Sequence, residues 1–361
     1  MTIAFNQVAV IGAGAMGRGI AQIAVQAGSQ VWLYDTQAEA IQKAQDAVFQ
    51  VWDTLATKGR LDADTVSAYK SRLHKASSLA DLKSCELVVE AIVERLDIKK
   101  SLFVELENLL PESTVLVTNT SSLSVTAIAA ALQRPANFAG YHFFNPVPLM
   151  KVVEVIAGLK TSAAVCERLT TFATQMGHTP VQANDTPGFI VNHAGRGYGT
   201  EALRIVSEGV ADFATIDRIL KDQVGFKLGP FELFDLTALD VSHPVMESIY
   251  NQYYQEPRYR PTPITGQRLA ADRQPLVRRA AAENDRVVVS VFVRASSGSG
   301  RMDLAAPVSK LLNDIARTTN TSNKPMVTTF RPADVVVCSN QKCAVRFCLK
   351  MVRLIGADAV P

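Results

Sequence analysis

Apolar runs and helix-like segments alternate along the first half of the chain. Short runs rich in β-branched residues predict buried strands, and they lie at 7–11, 31–35, 87–93, 114–119 and 138–144. Segments with apolar residues at helical spacing lie between them, at 13–27, 38–55, 63–73, 97–110 and 124–132. Two further short runs, 152–156 and 179–182, flank another helical segment. This alternation predicts an α/β domain with a parallel sheet and helices on its faces.

The pattern becomes helical after Thr186 and stays helical to about Tyr254. Residues that favour helix starts stand at Thr186–Pro187, Thr215 and Gly229–Pro230. We therefore predict a Rossmann-type domain over 1–186 and an all-α domain over 187–275. The composition changes again in 276–361, an atypical C-terminal region with strand-like runs at 287–293 and 335–338 and a flexible SSGSG at 296–300.

Composition narrows the class of protein. The chain has 361 residues, of which 48% are hydrophobic, enough for two cores. No apolar run reaches the roughly 18 residues of a membrane span, and the first residues do not resemble a signal peptide. The five cysteines are odd in number and form no CxxC pair, which favours reduced thiols over disulfides or a metal site. We expect a soluble cytoplasmic protein that contacts no membrane and holds no metal.

The net charge of +3 is unevenly distributed, because basic residues concentrate after Gly266. Such a basic segment can bind nucleic acid when aromatic residues are interleaved with the basic ones. This segment lacks that pattern, so a solvated arginine-rich segment is the better interpretation and no nucleic-acid partner is expected.

A glycine-rich turn follows the first predicted strand. The sequence GAGAMG places Gly12, Gly14 and Gly17 after that strand and at the start of a helix. Gly12 permits the tight turn, Gly14 lets the backbone approach a pyrophosphate, and Gly17 lets the helix pack on the strand. Asp35 ends the second strand, where a carboxylate binds a ribose diol and repels a 2′-phosphate. The pattern predicts an NAD site, and the alternative is a glycine-rich turn beside an unrelated aspartate.

A histidine and a carboxylate lie twelve residues apart in YHFFNPVPLMKVVEV, 141–155. A histidine that takes a proton needs a partner to fix its ring and stabilise its charge, and Glu154 could serve His142 in this way. Such a pair can act as a general base. By spacing alone, His142 could equally be a hydrogen-bonded histidine at a strand end and Glu154 a surface charge.

Five blocks together resemble the L-3-hydroxyacyl-CoA dehydrogenase family. They are GAGAMGRGIA at 12–21, EAIVE at 90–94, NTSSL at 119–123, HFFNPVPLMKVVEV at 142–155 and DTPGFIVN at 185–192. The resemblance runs from about Gln7 to Ala271 in order and spacing. It implies reversible, NAD-dependent oxidation of an L-3-hydroxyacyl-CoA to the 3-ketoacyl-CoA, as in β-oxidation of fatty acids. It also implies an acyl-CoA substrate and a homodimer.

The resemblance assigns roles to individual residues. His142 would be the general base, Glu154 would orient and support it, and Ser121 and Asn192 would contact the reacting oxygen. The implied cofactor contacts are Met16, Asp35, Ile92, Glu94, Lys99, Ser121 and Asn145. Lys58 is a candidate for the phosphates of CoA. The chemistry agrees with these roles, because alcohol oxidation needs a base beside a nicotinamide and hydrogen-bond donors on the oxygen.

Several of these assignments have alternatives. Ser121 could cap the helix that begins near Ser124. Asn192 could be an ordinary polar helix residue, and Lys58 a solvated loop lysine. Glu94 and Lys99 could lie on a solvated face.

The family resemblance ends at about Ala271, and the different sequence that follows leaves other functions open. After RPTPI at 260–264 and QRLAAD at 267–272, the lysine- and glycine-rich segment usual in the family is absent. Alternative functions are a dehydrogenase for a non-CoA hydroxy acid or sugar acid on the same scaffold, and an NAD-binding structural protein without catalysis.

Overall fold

The computed structural model describes residues 3–272 and Leu276. The contacts of the chain divide it into two compact units, of which the first ends at His193 and the second begins at Ala194. The predicted domain limits at 186 and 275 stay predictions. The runs at 287–293 and 335–338, the SSGSG segment and three of the cysteines lie outside the described residues.

An eight-stranded sheet forms the centre of the first unit. Its strands are β1 Gln7–Ile11, β2 Gln30–Tyr34, β3 Leu73–Lys75, β4 Leu87–Glu90, β5 Val115–Thr118, β6 Phe138–Phe143, β7 Val152–Ala157 and β8 Thr179–Asn184. They are ordered β3-β2-β1-β4-β5-β6-β7-β8. Every residue of β4 and β5 is buried, as expected for continuous apolar runs in a sheet covered on both faces.

Helices cover both faces of this sheet. They are α1 Ala15–Ala27, α2 Ala38–Thr57, α3 Ala63–Arg72, α4 Leu96–Leu109, α5 Val125–Ala129 and α6 Ala163–Gln175. Alternate residues of β1 enter different cores, with Val8 and Val10 in one cluster and Ala9 and Ile11 in the other. This follows from the two-residue period of a strand, and the predicted α/β class is confirmed.

The sheet departs from the expected all-parallel arrangement at one pair. β6 and β7 are antiparallel, and their register places His142 opposite Glu154. The link between them spans only residues 144–151, too short for the helical crossover that parallel neighbours need. Strand β3, three residues directly after α3, is not predicted by the sequence, because so short an edge strand leaves almost no periodic signal.

The described part of the second unit is helical. Helix α7, Val191–Ser207, begins in the first unit and continues into the second, and α8 Phe213–Asp222, α9 Pro230–Thr237, α10 Leu239–Gln252 and α11 Pro263–Ala270 follow. The predicted start of α9 at Gly229–Pro230 is confirmed. Helix α8 begins before Thr215, because the side chain of Asp212 caps it by accepting from the Thr215 amide. None of the helices over 3–272 is long and apolar enough to cross a membrane.

Candidate active site

The glycine turn between β1 and α1 is closed too tightly for larger residues at two of its positions. Gly12 has a φ of +104°, and a Cβ there would collide with the carbonyl oxygen of Ala91. A Cβ on Gly17 would collide with the carbonyl oxygen of Gly12. Gly14 differs, because a Cβ there would meet no atom of the described residues within 4 Å. Packing within the chain therefore does not require glycine at position 14, and the open backbone fits the approach of a pyrophosphate.

Asp35 is fixed at the same turn. It follows the last residue of β2, and its Oδ2 accepts from the amide of Ala13 at 2.8 Å. Its Oδ1 accepts from the amide of Gln37 at 3.0 Å. The carboxylate thus stands beside the glycine turn with its charge in place, which fits a ribose diol and disfavours a 2′-phosphate.

Replacement of Gly14 and of Gly17 by alanine should have contrasting effects. Gly14 has φ −68° and ψ −171°, which alanine adopts freely, so Gly14→Ala should keep the unfolding temperature of the free protein while weakening NAD binding at least about tenfold. Gly17→Ala should destabilise the fold by about 1–3 kcal/mol. Thermal unfolding without cofactor and titration calorimetry with NAD measure both effects. Unchanged NAD affinity of the Gly14→Ala variant would remove the case for a pyrophosphate at this turn.

The His142 ring is held by a buried carboxylate across the antiparallel strand pair. His142 Nδ1 lies 2.6 Å from Glu154 Oε2. The histidine is 5% exposed and the glutamate 0%, so the interpretation of Glu154 as a surface charge is wrong. His142 Nε2 has no hydrogen-bond partner in the described part of the chain. This atom is not fully buried. When Nδ1–H donates to the carboxylate, Nε2 is left as an accessible proton acceptor.

Glu154 is ionised despite its burial. Its second oxygen, Oε1, accepts from the backbone amides of Ile190 at 3.0 Å and Val191 at 2.9 Å. These amides lie at the start of α7, where N–H groups lack partners within the helix. Burial alone would raise the pKa of Glu154, but the hydrogen bonds from His142 and from the two amides outweigh it and hold the pKa below its ordinary value.

The loop after β5 brings Ser121 next to Asn192. Asn192 Nδ2 donates to the backbone oxygen of Ser121 at 3.1 Å, and Ser121 Oγ donates to Glu94 Oε1 at 3.1 Å. Ser121 does not cap α5. Ser124 is the capping residue, and its Oγ accepts from the amide of Ala127 at 3.1 Å, so the capping interpretation of Ser121 is wrong.

Glu94 and Lys99 do not form a solvated face. The side chain of Lys99 is 1% exposed and that of Glu94 32%, with 3.4 Å between Lys99 Nζ and Glu94 Oε2. Desolvation opposes ionisation of Glu94, but the ammonium of Lys99 and donors from Thr120 and Ser121 outweigh it and lower the pKa of Glu94. Lys99 also lies 2.5 Å from Glu90, a carboxylate that is 0% exposed.

Glu90, Asn119 and Asp185 contribute to the site although no role was predicted for them. Asn119 Oδ1 accepts from the amide of Phe143 at 2.8 Å and so ties the loop after β5 to β6. Asp185 accepts from Ser124 Oγ at 2.8 Å and from the first amides of α5. All three stand in the blocks EAIVE, NTSSL and DTPGFIVN, where a polar residue close to the end of a strand-like run was the available signal.

The remaining predicted residues have simpler surroundings. Met16 and Ile92 are half-buried against the two cores of the first unit. Asn145 is exposed and precedes the cis-Pro146 bond. Lys58 is exposed at the C-terminal end of α2, and no contact among residues 3–272 joins it to the cluster around His142 and Ser121.

A mainly parallel sheet, a glycine turn after β1 and an aspartate after β2 define a dinucleotide-binding α/β protein, the class that includes nicotinamide-dependent dehydrogenases. Residues 7–186 match the family description "3-hydroxyacyl-CoA dehydrogenase, NAD binding domain", and residues 188–278 match "3-hydroxyacyl-CoA dehydrogenase, C-terminal domain". The chain belongs to the 3-hydroxyacyl-CoA dehydrogenase family, and the cofactor of its first domain is NAD.

Two curated relatives illustrate the similarity. The 3-hydroxyadipyl-CoA dehydrogenase of Escherichia coli (strain K12) is 45% identical over 262 residues, which are 73% of this chain and 55% of that protein. A probable 3-hydroxybutyryl-CoA dehydrogenase of Deinococcus radiodurans is 41% identical over 255 residues, 71% of this chain and 91% of that protein. This chain therefore spans little more than half of the first relative.

Solved structures agree with the fold. The 3-hydroxybutyryl-CoA dehydrogenase from Escherichia coli K12 has a TM-score of 0.73 and 41% identity, covering 81% of this chain and 62% of that one. The (S)-3-hydroxybutyryl-CoA dehydrogenase from Ralstonia eutropha has a TM-score of 0.72 and 33% identity, covering 76% of this chain and 96% of that one.

Proposed function

We propose that this protein catalyses the reversible, NAD-dependent oxidation of an L-3-hydroxyacyl-CoA to the 3-ketoacyl-CoA. The observation that carries the proposal is the buried His142–Glu154 pair, with its 2.6 Å contact at Nδ1 and its accessible Nε2. Membership of the family and the names of the similar proteins support the choice of an acyl-CoA substrate.

In the proposed reaction His142 moves the proton of the substrate. Nε2 accepts the proton of the C3 hydroxyl, and the positive charge that develops on the ring is stabilised by the Glu154 carboxylate at Nδ1. Bound NAD supplies the hydride acceptor for C3. In the reverse direction the imidazolium returns its proton to the C3 oxygen.

Ser121 and Asn192 donate hydrogen bonds to the C3 oxygen in this proposal. The hydroxyl of Ser121 can turn from Glu94 to the substrate at small cost, because Glu94 Oε1 keeps donors from Thr120 Oγ1 and from the amides of Ser121 and Ser122. Asn192 uses one amide hydrogen on Ser121 and has a second available. Both bonds strengthen as negative charge develops on the oxygen.

The cofactor would be held by the glycine turn and Asp35, with further contacts from Met16, Ile92, Glu94, Lys99 and Asn145. The contact of Lys58 with CoA phosphates stays a prediction. The homodimer and the cytoplasmic location that the sequence suggests also stay predictions.

Turnover by the purified full chain tests the proposal. We expect NADH formation from 3-hydroxybutyryl-CoA and NADH consumption with acetoacetyl-CoA, each saturating in both substrates, with NAD preferred over NADP because of Asp35. NAD binding without turnover of any hydroxyacyl-CoA would instead identify a non-catalytic NAD-binding protein. Turnover of free hydroxy acids or sugar acids, with none of the thioesters, would identify a different dehydrogenase.

A further inference from the structure

Glu90 lies where the loop after β4 meets the loop after β5, and the proposed reaction does not use it. We propose that Glu90 is a positioning residue that holds the loop of Ser121 in place through Lys99 and Glu94. The inference rests on the proposed function, because it concerns the hydroxyl that would contact the C3 oxygen.

Both oxygens of the Glu90 carboxylate are used inside the protein. Oε1 accepts from Lys99 Nζ at 2.5 Å and from the amide of Ile92 at 2.7 Å. Oε2 accepts from Thr118 Oγ1 at 2.6 Å. A carboxylate that is 0% exposed is tolerated only when it is paired and hydrogen-bonded. Glu90 therefore fixes the start of one loop, the end of β5 and the head of Lys99 at the same time.

Lys99 links Glu90 to Glu94. Its ammonium lies between two carboxylates, 2.5 Å from Glu90 and 3.4 Å from Glu94 Oε2. A lysine side chain has four rotatable carbon–carbon bonds, so its head stays in one place only when a partner holds it. Glu90 is the nearer partner and the more deeply buried of the two.

Glu94 in turn accepts several hydrogen bonds from the loop that contains Ser121. Its Oε1 accepts from Thr120 Oγ1 at 2.7 Å, from the Ser121 amide at 2.8 Å and from Ser121 Oγ at 3.1 Å. A second route reaches the same loop, since Thr118 Oγ1 donates to Glu90 and accepts from the Thr120 amide at 3.2 Å. Two chains of contacts thus run from Glu90 to the loop of Ser121.

The alternative is that Glu90 only anchors α4 to the sheet. The two roles differ in what a variant does to turnover. A displacement of about 1 Å at a reacting group can cost about 10² in rate, so a positioning role predicts that Glu90→Gln lowers kcat by about 10- to 100-fold with KM for the acyl-CoA little changed. An anchoring role predicts lower stability with kcat retained.

A double-mutant cycle tests the route through Ser121. We expect Glu90→Gln to lower kcat in the wild type but by less than about twofold in a Ser121→Ala background, because the positioned hydroxyl is already gone. Equal losses in both backgrounds, or no loss in the wild type, would overturn the proposal. Glu107→Gln is the matched control, because Glu107 is a buried carboxylate on α4 that accepts from the amides of Gln133 and Arg134 at 2.8 and 2.7 Å. It should lose stability and keep kcat.

A second variant and a second measurement complete the test. If Glu90→Gln fails to fold because Lys99 loses its partner, Glu90→Gln with Lys99→Met removes both charges together. Because Lys99 is also a proposed cofactor contact, its kcat is measured at saturating NAD, where the same loss is expected. Amide hydrogen exchange at Ser121 and Ser122 gives a readout without turnover: it should become faster in the Glu90 variants and not in Glu107→Gln. Unchanged exchange would refute the positioning role even if the wild type showed no dehydrogenase activity, so the two proposals can fail separately.

Discussion

Replacement of His142 by Gln is expected to lower kcat by about 10² to 10⁴, the usual contribution of general-base catalysis. Glutamine retains a polar group near Glu154 but cannot take a proton. The loss corresponds to about 3 to 5 kcal/mol of transition-state stabilisation. KM for the acyl-CoA should change little, because the proton is transferred only in the chemical step. Steady-state kinetics with the CoA substrates, in both directions, measure the effect.

His74→Gln is the matched control for this variant. His74 is a half-buried histidine on β3, at the edge of the sheet, and its Nε2 is hydrogen-bonded to Gln30 Oε1 at 2.8 Å. Four strands separate β3 from β6 in the sheet, so this variant should retain wild-type kcat. A His142→Gln enzyme that kept more than about a tenth of wild-type kcat would exclude His142 as the general base.

Glu154→Gln is expected to lower both kcat and stability. The neutral amide still meets the His142 ring, but it no longer stabilises the charge that develops there, so kcat should fall by about 10- to 10³-fold. It also meets the amides of Ile190 and Val191 as a weaker acceptor than the carboxylate. Because an ionised group that accepts three hydrogen bonds is replaced, the unfolding free energy should drop by a few kcal/mol, on the order of 2 to 4.

The stability lost in Glu154→Gln should depend on pH. Folding lowers the pKa of Glu154 from its ordinary value of 4.5. The carboxylate therefore stabilises the native state fully above that value and progressively less as the pH falls through the lower native pKa. Chemical unfolding at a series of pH values should show a gap between wild type and variant that is constant near neutrality and narrows below about pH 4.5.

Glu107→Gln again provides the comparison. It removes a buried carboxylate that accepts two backbone amides and has no histidine partner among residues 3–272, so stability should fall without loss of kcat. If Glu154→Gln behaved in the same way, the carboxylate would only stabilise the fold, and the charge on His142 would need no support from it.

The local signals in the sequence were strong where one element follows another directly. The apolar run of β1, the glycines at positions 12, 14 and 17, and the run of β2 ending before Asp35 lie within thirty residues of one another. A turn and its two flanking elements are determined by residues that are close in sequence, so their positions could be predicted. Strand β3 was missed because three residues on a sheet edge leave little periodicity.

Burial of charged residues could not be predicted in the same way. Glu94 and Lys99 lie in a polar stretch that is equally compatible with a solvated face, and the structure buries the lysine against Glu90. Whether a charge is buried depends on partners from other elements, here Thr118 of β5 and Glu90 of β4. Periodicity along one helix carries no information about those partners. The roles of Asn119 and Asp185 could not be predicted for the same reason, because their partners also lie on other elements.

By itself the sequence determined the α/β class, the dinucleotide turn, the family and the choice of His142 and Glu154 as partners. These depend on local propensity, apolar period and motif spacing. Only the tertiary structure decided that β6 and β7 run antiparallel, so that His142 faces Glu154. It also decided that the start of α7 supplies two amides to that carboxylate and that Glu90, Lys99 and Glu94 tie down the loop of Ser121. The reason is physical: these contacts join residues far apart in sequence, and their strength comes from exclusion of water, which only packing of separate elements provides.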